Sequence, residues 1–461
     1  MASELLHAGV IGYVRDPGAL RPAVLSWRAP SSSAHKMPAF IVQGGRTLNG
    51  RIRPAGNKNA ALPCIAACLL ATEPVTLSNV PRIRDVLDLI DIMESLGASV
   101  VWSDGNTVRI DASGVTAGNV DREMAAKIRA SLLLAGPLLA RFGEVSLPPP
   151  GGDVIGRRRM DTHFLAFEAL GGRVRLDEVV HITAERLVGT TVFLDEPSVT
   201  GTENAIMAAV TAGGTTILRN SASEPHVQDL CKQLNLMGAR VTGIGTNTLM
   251  IEGVRELHGA EFVIGADHIE AGSFMGLAAV TGSTITIEDA PIEHLDATLM
   301  GFHRLGIECE LDGRDLVVRG EGDHIIQQDA FGAVSKIDDG PWPAFPADLT
   351  SIMVVTATQC RGTILIHEKM FESRMFFTDK LVGMGARIVL CDPHRAVVVG
   401  PAPLRGSQLE SPDIRAGMAL LIAALGAEGT SRIHNIRQIE RGYERIDERL
   451  CALGAKIERE D

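Results

Sequence analysis

The hydrophobic and polar positions of the chain repeat in a unit of about 70 residues, and the stretch from Gly214 to Val241 displays it. The segment TTILR has the β-branched content of a strand. Apolar residues at i, i+3, i+4, i+7 and i+10 then predict a helix with one buried face: Val227, Leu230, Cys231, Leu234 and Met237. The segments ARVTGI and TLMIEG, separated by Gly245-Thr246-Asn247, predict a hairpin. The next stretch predicts a strand at EFVI, an apolar helix from His268 to Val280 and a strand at TITIED.

A short motif with a central glycine closes each unit, and it recurs six times: Leu96-Gly97-Ala98, Leu170-Gly171-Gly172, Met237-Gly238-Ala239, Leu305-Gly306-Ile307, Met384-Gly385-Ala386 and Leu453-Gly454-Ala455. The glycine suits the left-handed residue that ends a helix. Solenoid repeats usually have periods of about 20 to 50 residues. A longer unit with several strands can bury a core of its own. The pattern therefore predicts six βαβαββ units packed in compact lobes rather than an open solenoid.

Composition limits the kind of protein this is. A chain of 461 residues exceeds a single hydrophobic core, so we expect two domains. Apolar residues make up 45% of the chain but aromatic residues only 4%, which predicts an aliphatic core with close backbone packing. The net charge of −12 argues against general nucleic-acid binding, although it is compatible with a local cationic pocket.

The cysteine pattern and the apolar runs indicate the compartment. The seven cysteines include no C-x-x-C pair, which favours reduced thiols in a cytoplasmic protein. The apolar run from Ala60 to Ala71 is too short to span a bilayer, so we expect no membrane insertion. Residues 1–37 are predicted to be a flexible extension without a secretory signal. No histidine or cysteine spacing predicts a metal site.

Several cationic residues occupy positions that suit an anion. Lys58 follows a glycine turn at a predicted helix start, where free N–H groups and the helix dipole favour negative charge. Arg129 begins an apolar helix. The loop 148–161 carries Arg157, Arg158 and Arg159 beside one carboxylate, and adjacent arginines repel one another unless an anion neutralises them. An exposed lysine, a helix rim and a basic surface patch are the alternatives.

A second rigid loop, GPWPAFPADLTS, places Asp348 after a proline at a predicted helix start. This position suits either an N-cap or a catalytic base. Arg374, Arg415 and Arg441 are each predicted to begin an apolar helix. The recurrence suggests that several helix N-termini converge on one space that holds anions.

Nine motifs, in this order across residues 38–461, carry a resemblance: GNKNAAL, NVPRIRDV, IRAS, LPPPGGDVIGRRRMDTH, SEPHVQD, AFPADLTS, FESR, SPDIRAG and IERGYERID. Together they resemble the UDP-N-acetylglucosamine 1-carboxyvinyltransferases, which are enolpyruvyl transferases. The resemblance implies an α+β fold of two lobes, each an inside-out α/β barrel of three units in a pseudo-threefold prism. Lobe 1 would be residues 58–265 with the catalytic loop 148–161, and lobe 2 would be residues 38–57 plus 266–461.

The resemblance also implies a reaction without a cofactor. The 3-hydroxyl of UDP-N-acetylglucosamine attacks phosphoenolpyruvate, and phosphate leaves from a tetrahedral intermediate. By motif match the catalytic residues would be Asp153 as acid and Asp348 as base, with Lys58 and Arg441. Phosphoenolpyruvate would contact Lys58, Arg129, Arg158 and Arg441. The nucleotide sugar would contact Asn59, Arg129, Arg158, Ser198, Val199, Asp348 and Met370. Supporting roles would fall to Asp85, Arg374, Asp413 and Arg415.

The chain departs from the family pattern at a few positions. Many members carry cysteine where this chain has Asp153, and that thiol is alkylated by fosfomycin, so we expect resistance to the compound. The other departures are Thr200, His268, Gln438 and Glu440. They leave open a divergent paralogue acting on another nucleotide sugar. A related 5-enolpyruvylshikimate-3-phosphate synthase and a non-catalytic UDP-sugar sensor are further alternatives.

Overall fold

The computed structural model describes residues 38–116, 118–152, 155–156 and 158–460. These residues belong to one compact unit, Met37–Asp461. None of the described helices combines the length and the apolar character needed to cross a bilayer. The predicted extension, residues 1–37, lies outside the described residues.

The described residues contain short strands and short helices in a mixed α/β arrangement. The strands are β1 (Ala39–Gln43), β2 (Asn49–Ile52), β3 (Val75–Ser78), β4 (Ser99–Trp102), β5 (Val108–Asp111), β6 (Glu144–Leu147), β7 (Arg173–Leu176), β8 (Val180–Thr183), β9 (Thr191–Phe193), β10 (Thr215–Arg219), β11 (Arg240–Thr242), β12 (Thr248–Glu252), β13 (Glu261–Val263), β14 (Thr284–Ile287), β15 (Glu308–Asp312), β16 (Asp315–Arg319), β17 (Ser335–Asp338), β18 (Gly362–His367), β19 (Arg387–Asp392), β20 (Arg395–Gly400), β21 (Gln408–Glu410), β22 (Thr430–His434) and β23 (Lys456–Glu460).

The α-helices are α1 (Lys58–Ala67), α2 (Arg84–Ser95), α3 (Arg122–Ala125), α4 (Ala135–Phe142), α5 (Asp161–Ala169), α6 (Val199–Ala209), α7 (Pro225–Leu236), α8 (His268–Val280), α9 (Asp296–Arg304), α10 (Thr350–Ala357), α11 (Thr378–Gly383), α12 (Ile414–Gly426) and α13 (Ile446–Ala452). Short 3₁₀ helices span Cys68–Leu70, Arg129–Leu134, Ile292–His294, Ala330–Gly332, Ala347–Leu349, Arg374–Phe377 and Ile436–Arg441.

The unit formed by β9, α6, β10, α7, β11 and β12 has the predicted βαβαββ order. In its sheet, β9 runs parallel to β10, and the β11–β12 hairpin continues on the other side. The glycine of the closing motif has a positive φ in all six units, between 77° and 109°. A residue with a Cβ adopts this conformation only with strain, which explains why the sequence places glycine there.

Two units exchange their first strands. The strand β13 pairs in parallel with β3, which lies almost 190 residues earlier, and β2 pairs in parallel with β14. The two connecting segments run side by side, because Asn57 N–H donates to Gly265 O at 2.8 Å and Asp267 N–H donates to Ala55 O at 2.8 Å. The backbone groups of the two crossings thereby satisfy each other.

The first and last described strands belong to one sheet. The strand β1 lies between β22 and β23, so it supplies the strand that the last unit lacks. The second unit has a three-stranded sheet of β6, β8 and β7, and its parallel first strand is reduced to a bridge between Asn119 and Ser146.

Buried apolar side chains form two clusters. One spans Ala60 to Ile264, and the other combines residues 40–52 with residues 269–455. Every residue of α8 is buried, and its small side chains let neighbouring helices approach closely. A Cβ added at Gly272 would lie 2.5 Å from the Leu349 side chain, and one added at Gly276 would lie 2.5 Å from Ile352. This packing holds α8 against α10, and the first residues of α8 line the cavity described next.

Candidate active site

Residues of both core clusters line a cavity of about 710 Å³. All of the predicted site residues in the described part of the chain line it: Lys58, Asn59, Asp85, Arg129, Arg158, Ser198, Val199, Asp348, Met370, Arg374, Asp413, Arg415 and Arg441. Asp153 and Arg157 lie outside the described residues. The cavity therefore collects side chains that are almost 400 residues apart in sequence.

Asp85 joins two cations in a buried ion-pair network. Its Oδ2 lies 2.8 Å from Lys58 Nζ, and its Oδ1 accepts from Arg441 Nε at 2.7 Å. Only 9% of the Lys58 side chain and 7% of the Asp85 side chain are exposed. Burial alone would raise the pKa of Asp85, but Lys58 and Arg441 reverse this effect, and the pKa lies below its ordinary value. The carboxylate is therefore ionised and orients both cations towards the cavity.

Asp348 is held between two buried arginines. Its Oδ1 accepts from Arg374 Nη2 at 3.1 Å, and its Oδ2 accepts from Arg415 Nε at 3.1 Å. Burial alone would raise the pKa of Asp348, but Arg415, Arg374 and Lys58 outweigh burial and hold it well below the ordinary value. The carboxyl of Asp348 is 26% exposed, whereas the arginine side chains are 3% and 5% exposed. The cavity thus has direct access to the carboxylate.

A further carboxyl lies behind Arg374. Glu368 is fully buried, and its Oε2 is 3.9 Å from Arg374 Nε. Burial raises the pKa of Glu368 to about 9 despite Arg374, and the neighbouring Asp339 contributes in the same direction. Glu368 is therefore protonated at neutral pH, so Asp348 is the ionised partner of Arg374.

Three guanidinium groups leave buried N–H groups unused. Arg129 Nε, Arg374 Nη1 and Arg415 Nη1 have no hydrogen-bond partner within the described residues. Burial, together with Arg158, lowers the pKa of Arg129 to about 10. Because unpaired buried donors are costly, these groups point to an anionic ligand that accepts from them.

Helix N-termini supply further polar groups. Asn57 caps α1 and positions Lys58 and Asn59 in its first turn. Ser198 caps α6 by accepting from Gly201 N–H at 3.2 Å, with Val199 as the first helical residue. Asp413 caps α12 through the N–H groups of its second and third following residues. Free N–H groups at such ends favour anions.

Met370 lines the cavity, and its backbone is held in place by a hydrogen bond. Its N–H donates to Asp339 Oδ2 at 3.3 Å, and the residue is 40% exposed. The loop that carries it is therefore held to the sheet beneath.

Three arginines do not begin α-helices as predicted, and one alternative is excluded. Arg441 does not begin an apolar helix, since it ends the 3₁₀ helix Ile436–Arg441 and reaches Asp85 from there. Lys58 is buried, so the alternative of an exposed lysine is excluded. Arg374 and Arg129 begin 3₁₀ helices rather than α-helices, and each 3₁₀ helix leads directly into the following α-helix.

Sequence reasoning gave no site role to several residues that line the cavity, among them Glu203, Glu224 and His226. Burial raises the pKa of both glutamates and lowers the pKa of His226 to about 3, because burial disfavours the charged form of each group. Glu203 lies within the apolar helix α6. A charged residue in an apolar helix is rarely buried without a role, so this position could have indicated a site residue from the sequence. His268 and Trp342 form an aromatic contact at 5.8 Å beside them.

Comparisons with known proteins identify the relatives of this chain. A UDP-N-acetylglucosamine 1-carboxyvinyltransferase of Bradyrhizobium diazoefficiens is 61% identical over 420 residues, covering 91% of this chain and 97% of the relative. The protein of the same name from Treponema denticola is 56% identical over 422 residues, covering 92% of this chain and 99% of the relative. The resemblance inferred from sequence motifs is thereby confirmed.

Solved structures with the same fold have lower sequence identity. The enolpyruvyl transferase NikO from Streptomyces tendae has a TM-score of 0.81 at 25% identity, covering 92% of this chain and 99% of that chain. The EPSP synthase from Acinetobacter baumannii has a TM-score of 0.70 at 18% identity, covering 92% of this chain and all of that chain. Residues 42–450 match the family of EPSP synthase (3-phosphoshikimate 1-carboxyvinyltransferase). The chain belongs to the enolpyruvyl transferases, the family of the UDP-N-acetylglucosamine 1-carboxyvinyltransferases and EPSP synthases.

Proposed function

We propose that this protein transfers the enolpyruvyl group of phosphoenolpyruvate to the 3-hydroxyl of UDP-N-acetylglucosamine and releases phosphate, a step of peptidoglycan synthesis. The name that the relatives share supports this activity. The observation in the structure that carries it is one cavity in which Lys58, Asp348 and Arg441 lie together with unused guanidinium donors. Such a site suits two anionic substrates and one proton transfer.

Phosphoenolpyruvate is proposed to bind against Lys58, Arg129, Arg158 and Arg441. The substrate carries a phosphate and a carboxylate, and positioned cations stabilise the charge that develops as the phosphate leaves. Asp85 acts as a positioning residue, because it fixes Lys58 Nζ and Arg441 Nε at 2.8 and 2.7 Å.

The nucleotide sugar is proposed to bind along Asn59, Ser198 and Val199, with Met370 at its edge, so that its 3-hydroxyl reaches Asp348. In the structure Asp348 is a weak base, because two arginines depress its pKa. An incoming anion can accept hydrogen bonds from the unused Nη1 groups of Arg374 and Arg415. If it also draws away the donors that now contact Asp348, the pKa of Asp348 rises and the carboxylate becomes a stronger base. Binding of the anionic substrate would thereby activate the base.

Asp153 is proposed to protonate C3 of phosphoenolpyruvate during the addition. C3 loses a proton again when the C2–O bond to phosphate breaks and the double bond re-forms. A carboxyl can donate this proton only with a raised pKa, whereas the neighbouring arginines of the loop favour its ionised form. The negative charge of the substrate phosphate and the exclusion of water would offset the arginines.

The two core clusters are proposed to be the cores of two lobes, residues 58–265 and residues 38–57 plus 266–461. The position of the cavity between residues of both clusters supports this division. Closure of the lobes over both substrates would exclude water from the reaction.

The decisive assay measures phosphate release from the purified chain with UDP-N-acetylglucosamine and phosphoenolpyruvate, and with each substrate omitted. We expect release only with both substrates and almost none from Lys58→Ala. Shikimate 3-phosphate should not replace the nucleotide sugar. Tight UDP-sugar binding without phosphate release would instead indicate a sensor, and release with a different UDP-sugar alone would indicate a divergent acceptor.

A further inference from the structure

A chain of hydrogen bonds reaches the N-terminus of α6 from inside the first core cluster. Gly136 N–H donates to Asn204 Oδ1 at 2.7 Å. Asn204 Nδ2 donates to Leu132 O at 2.9 Å and lies 3.0 Å from His163 Nδ1. His163 Nε2 lies 3.1 Å from Thr200 Oγ1. Asn204 and His163 are fully buried, and Thr200 lines the cavity.

The backbone end of this chain fixes every donor and acceptor in it. A backbone N–H can only donate, so the amide atom of Asn204 that meets Gly136 is the oxygen. The nitrogen of the same amide then donates to His163 Nδ1, which must be the unprotonated ring atom. A neutral imidazole with an unprotonated Nδ1 carries its proton on Nε2, so His163 donates to Thr200 Oγ1.

The surroundings of His163 keep the imidazole neutral. Burial lowers its pKa to about 3, and the charge of Arg129 contributes in the same direction. The tautomer is therefore the same over the whole pH range in which the protein would work. Close contact holds the chain in place, because a Cβ at Gly136 would lie 2.6 Å from the Asn204 carbonyl oxygen.

Thr200 consequently has one direction left for its own proton. Its oxygen accepts from His163, and within the described part of the chain its O–H has no acceptor, so it can donate to a ligand. Thr200 is the second residue of α6, next to Ser198 and Val199. Thr200 therefore lies in the first turn of an 11-residue helix, where backbone N–H groups lack partners within the helix. A hydroxyl that accepts one hydrogen bond is a stronger donor in the next.

We infer that Thr200 is a specificity-determining residue that donates its hydroxyl proton to the diphosphate of the nucleotide substrate, with Asn204 and His163 as positioning residues. This inference rests on the proposed function for the identity of the anion. The ligand class is a nucleoside diphosphate, because a helix N-terminus with an added hydroxyl offers donors to several phosphate oxygens.

The test uses Thr200→Val, which keeps the shape of the side chain and removes the hydroxyl, and Thr200→Ser, which keeps the hydroxyl. Thr215→Val, on an exposed strand position, is the matched control. Calorimetry with UDP on the full chain should show roughly tenfold weaker binding for the valine variant, because a hydrogen bond to a charged group is lost. The serine variant and the control should stay within about twofold of the original protein.

Kinetics separate this role from a structural one. Thr200→Val should raise KM for UDP-N-acetylglucosamine by a similar factor and leave kcat and KM for phosphoenolpyruvate unchanged at a temperature well below unfolding. Its melting temperature should fall slightly, because His163 Nε2–H loses its acceptor, whereas Thr200→Ser keeps that acceptor. Equal UDP affinity in the valine variant and the original protein overturns the inference. Equal weakening by valine and serine also overturns it, since shape rather than the hydroxyl would then matter. If the original protein binds UDP with the expected Thr200 dependence but releases no phosphate, only the proposed function fails.

Discussion

Neutralising Asp348 tests the electrostatics at the centre of the cavity. The Asp348→Asn substitution leaves Arg374 and Arg415 buried without the carboxylate that both contact at 3.0 to 3.1 Å. An uncompensated buried charge typically costs about 3 to 5 kcal/mol. Glu368 can reduce this cost, because its protonated carboxyl lies 3.9 Å from Arg374 Nε and can ionise once Asp348 is neutral. We therefore expect a loss of about 3 kcal/mol in the free energy of unfolding, at the lower end of that range.

The double variant shows whether Glu368 compensates. Adding Glu368→Gln removes the group that can ionise, so the combined loss should exceed the sum of the two single effects. Urea unfolding at pH 7.5 measures the stability, and phosphate release measures an expected activity loss of roughly 100- to 10,000-fold in Asp348→Asn. Asp312→Asn, at the exposed last position of β15, is the control and should change neither quantity. Strict additivity, or an unchanged stability in Asp348→Asn, would refute this reasoning.

Three further predictions concern pH and reactivity. Asp85 and Asp348 have depressed pKa values, so their stabilising contribution is complete above about pH 5. It should decrease progressively as the pH falls below the unfolded value of about 4 towards the folded pKa, and urea midpoints from pH 3 to 7 would show the start of this decrease. Glu368 has the opposite sign, because its raised pKa makes folding less favourable as the pH rises from about 4.5 to 9. Glu368→Gln should therefore gain stability relative to the original protein over that interval, by at least about 1 kcal/mol at pH 8, and a loss would contradict the assignment. Fosfomycin should not inactivate the protein over time, because the loop carries Asp153 where a cysteine would be alkylated. All seven cysteines belong to the described residues, and none of them lines the cavity. A time-dependent loss of phosphate release would contradict this prediction.

Local sequence patterns were sufficient to predict the elements of the unit from β9 to β12 and several residues of the cavity. Helix α7 begins at Pro225 and ends before Gly238 because its apolar spacing and its terminal residues agree. Local patterns also placed Lys58 and Asp348 at helix starts, and both starts line the cavity. Such positions are predictable because the capping and spacing that define them are local in sequence.

Contacts between distant parts of the chain were not predictable in the same way. The exchange of β2 and β13 leaves no local signal, since a strand has the same pattern whichever sheet it joins. The approach of Arg441 to Asp85 spans 356 residues and depends on that tertiary arrangement. The protonation of Glu368 follows from burial, which the sequence does not specify for a charged residue beside a lysine.

The pairing of β1 with β23 has a consequence for biosynthesis. Ala39 pairs with Glu460, so the sheet that contains β1 is complete only when the residues of β23 have been synthesised. The cluster from Ala60 to Ile264 needs no later residue and can form during translation. Arg415 and Arg441 come afterwards, so the cavity is complete only after nearly the entire polypeptide has been synthesised.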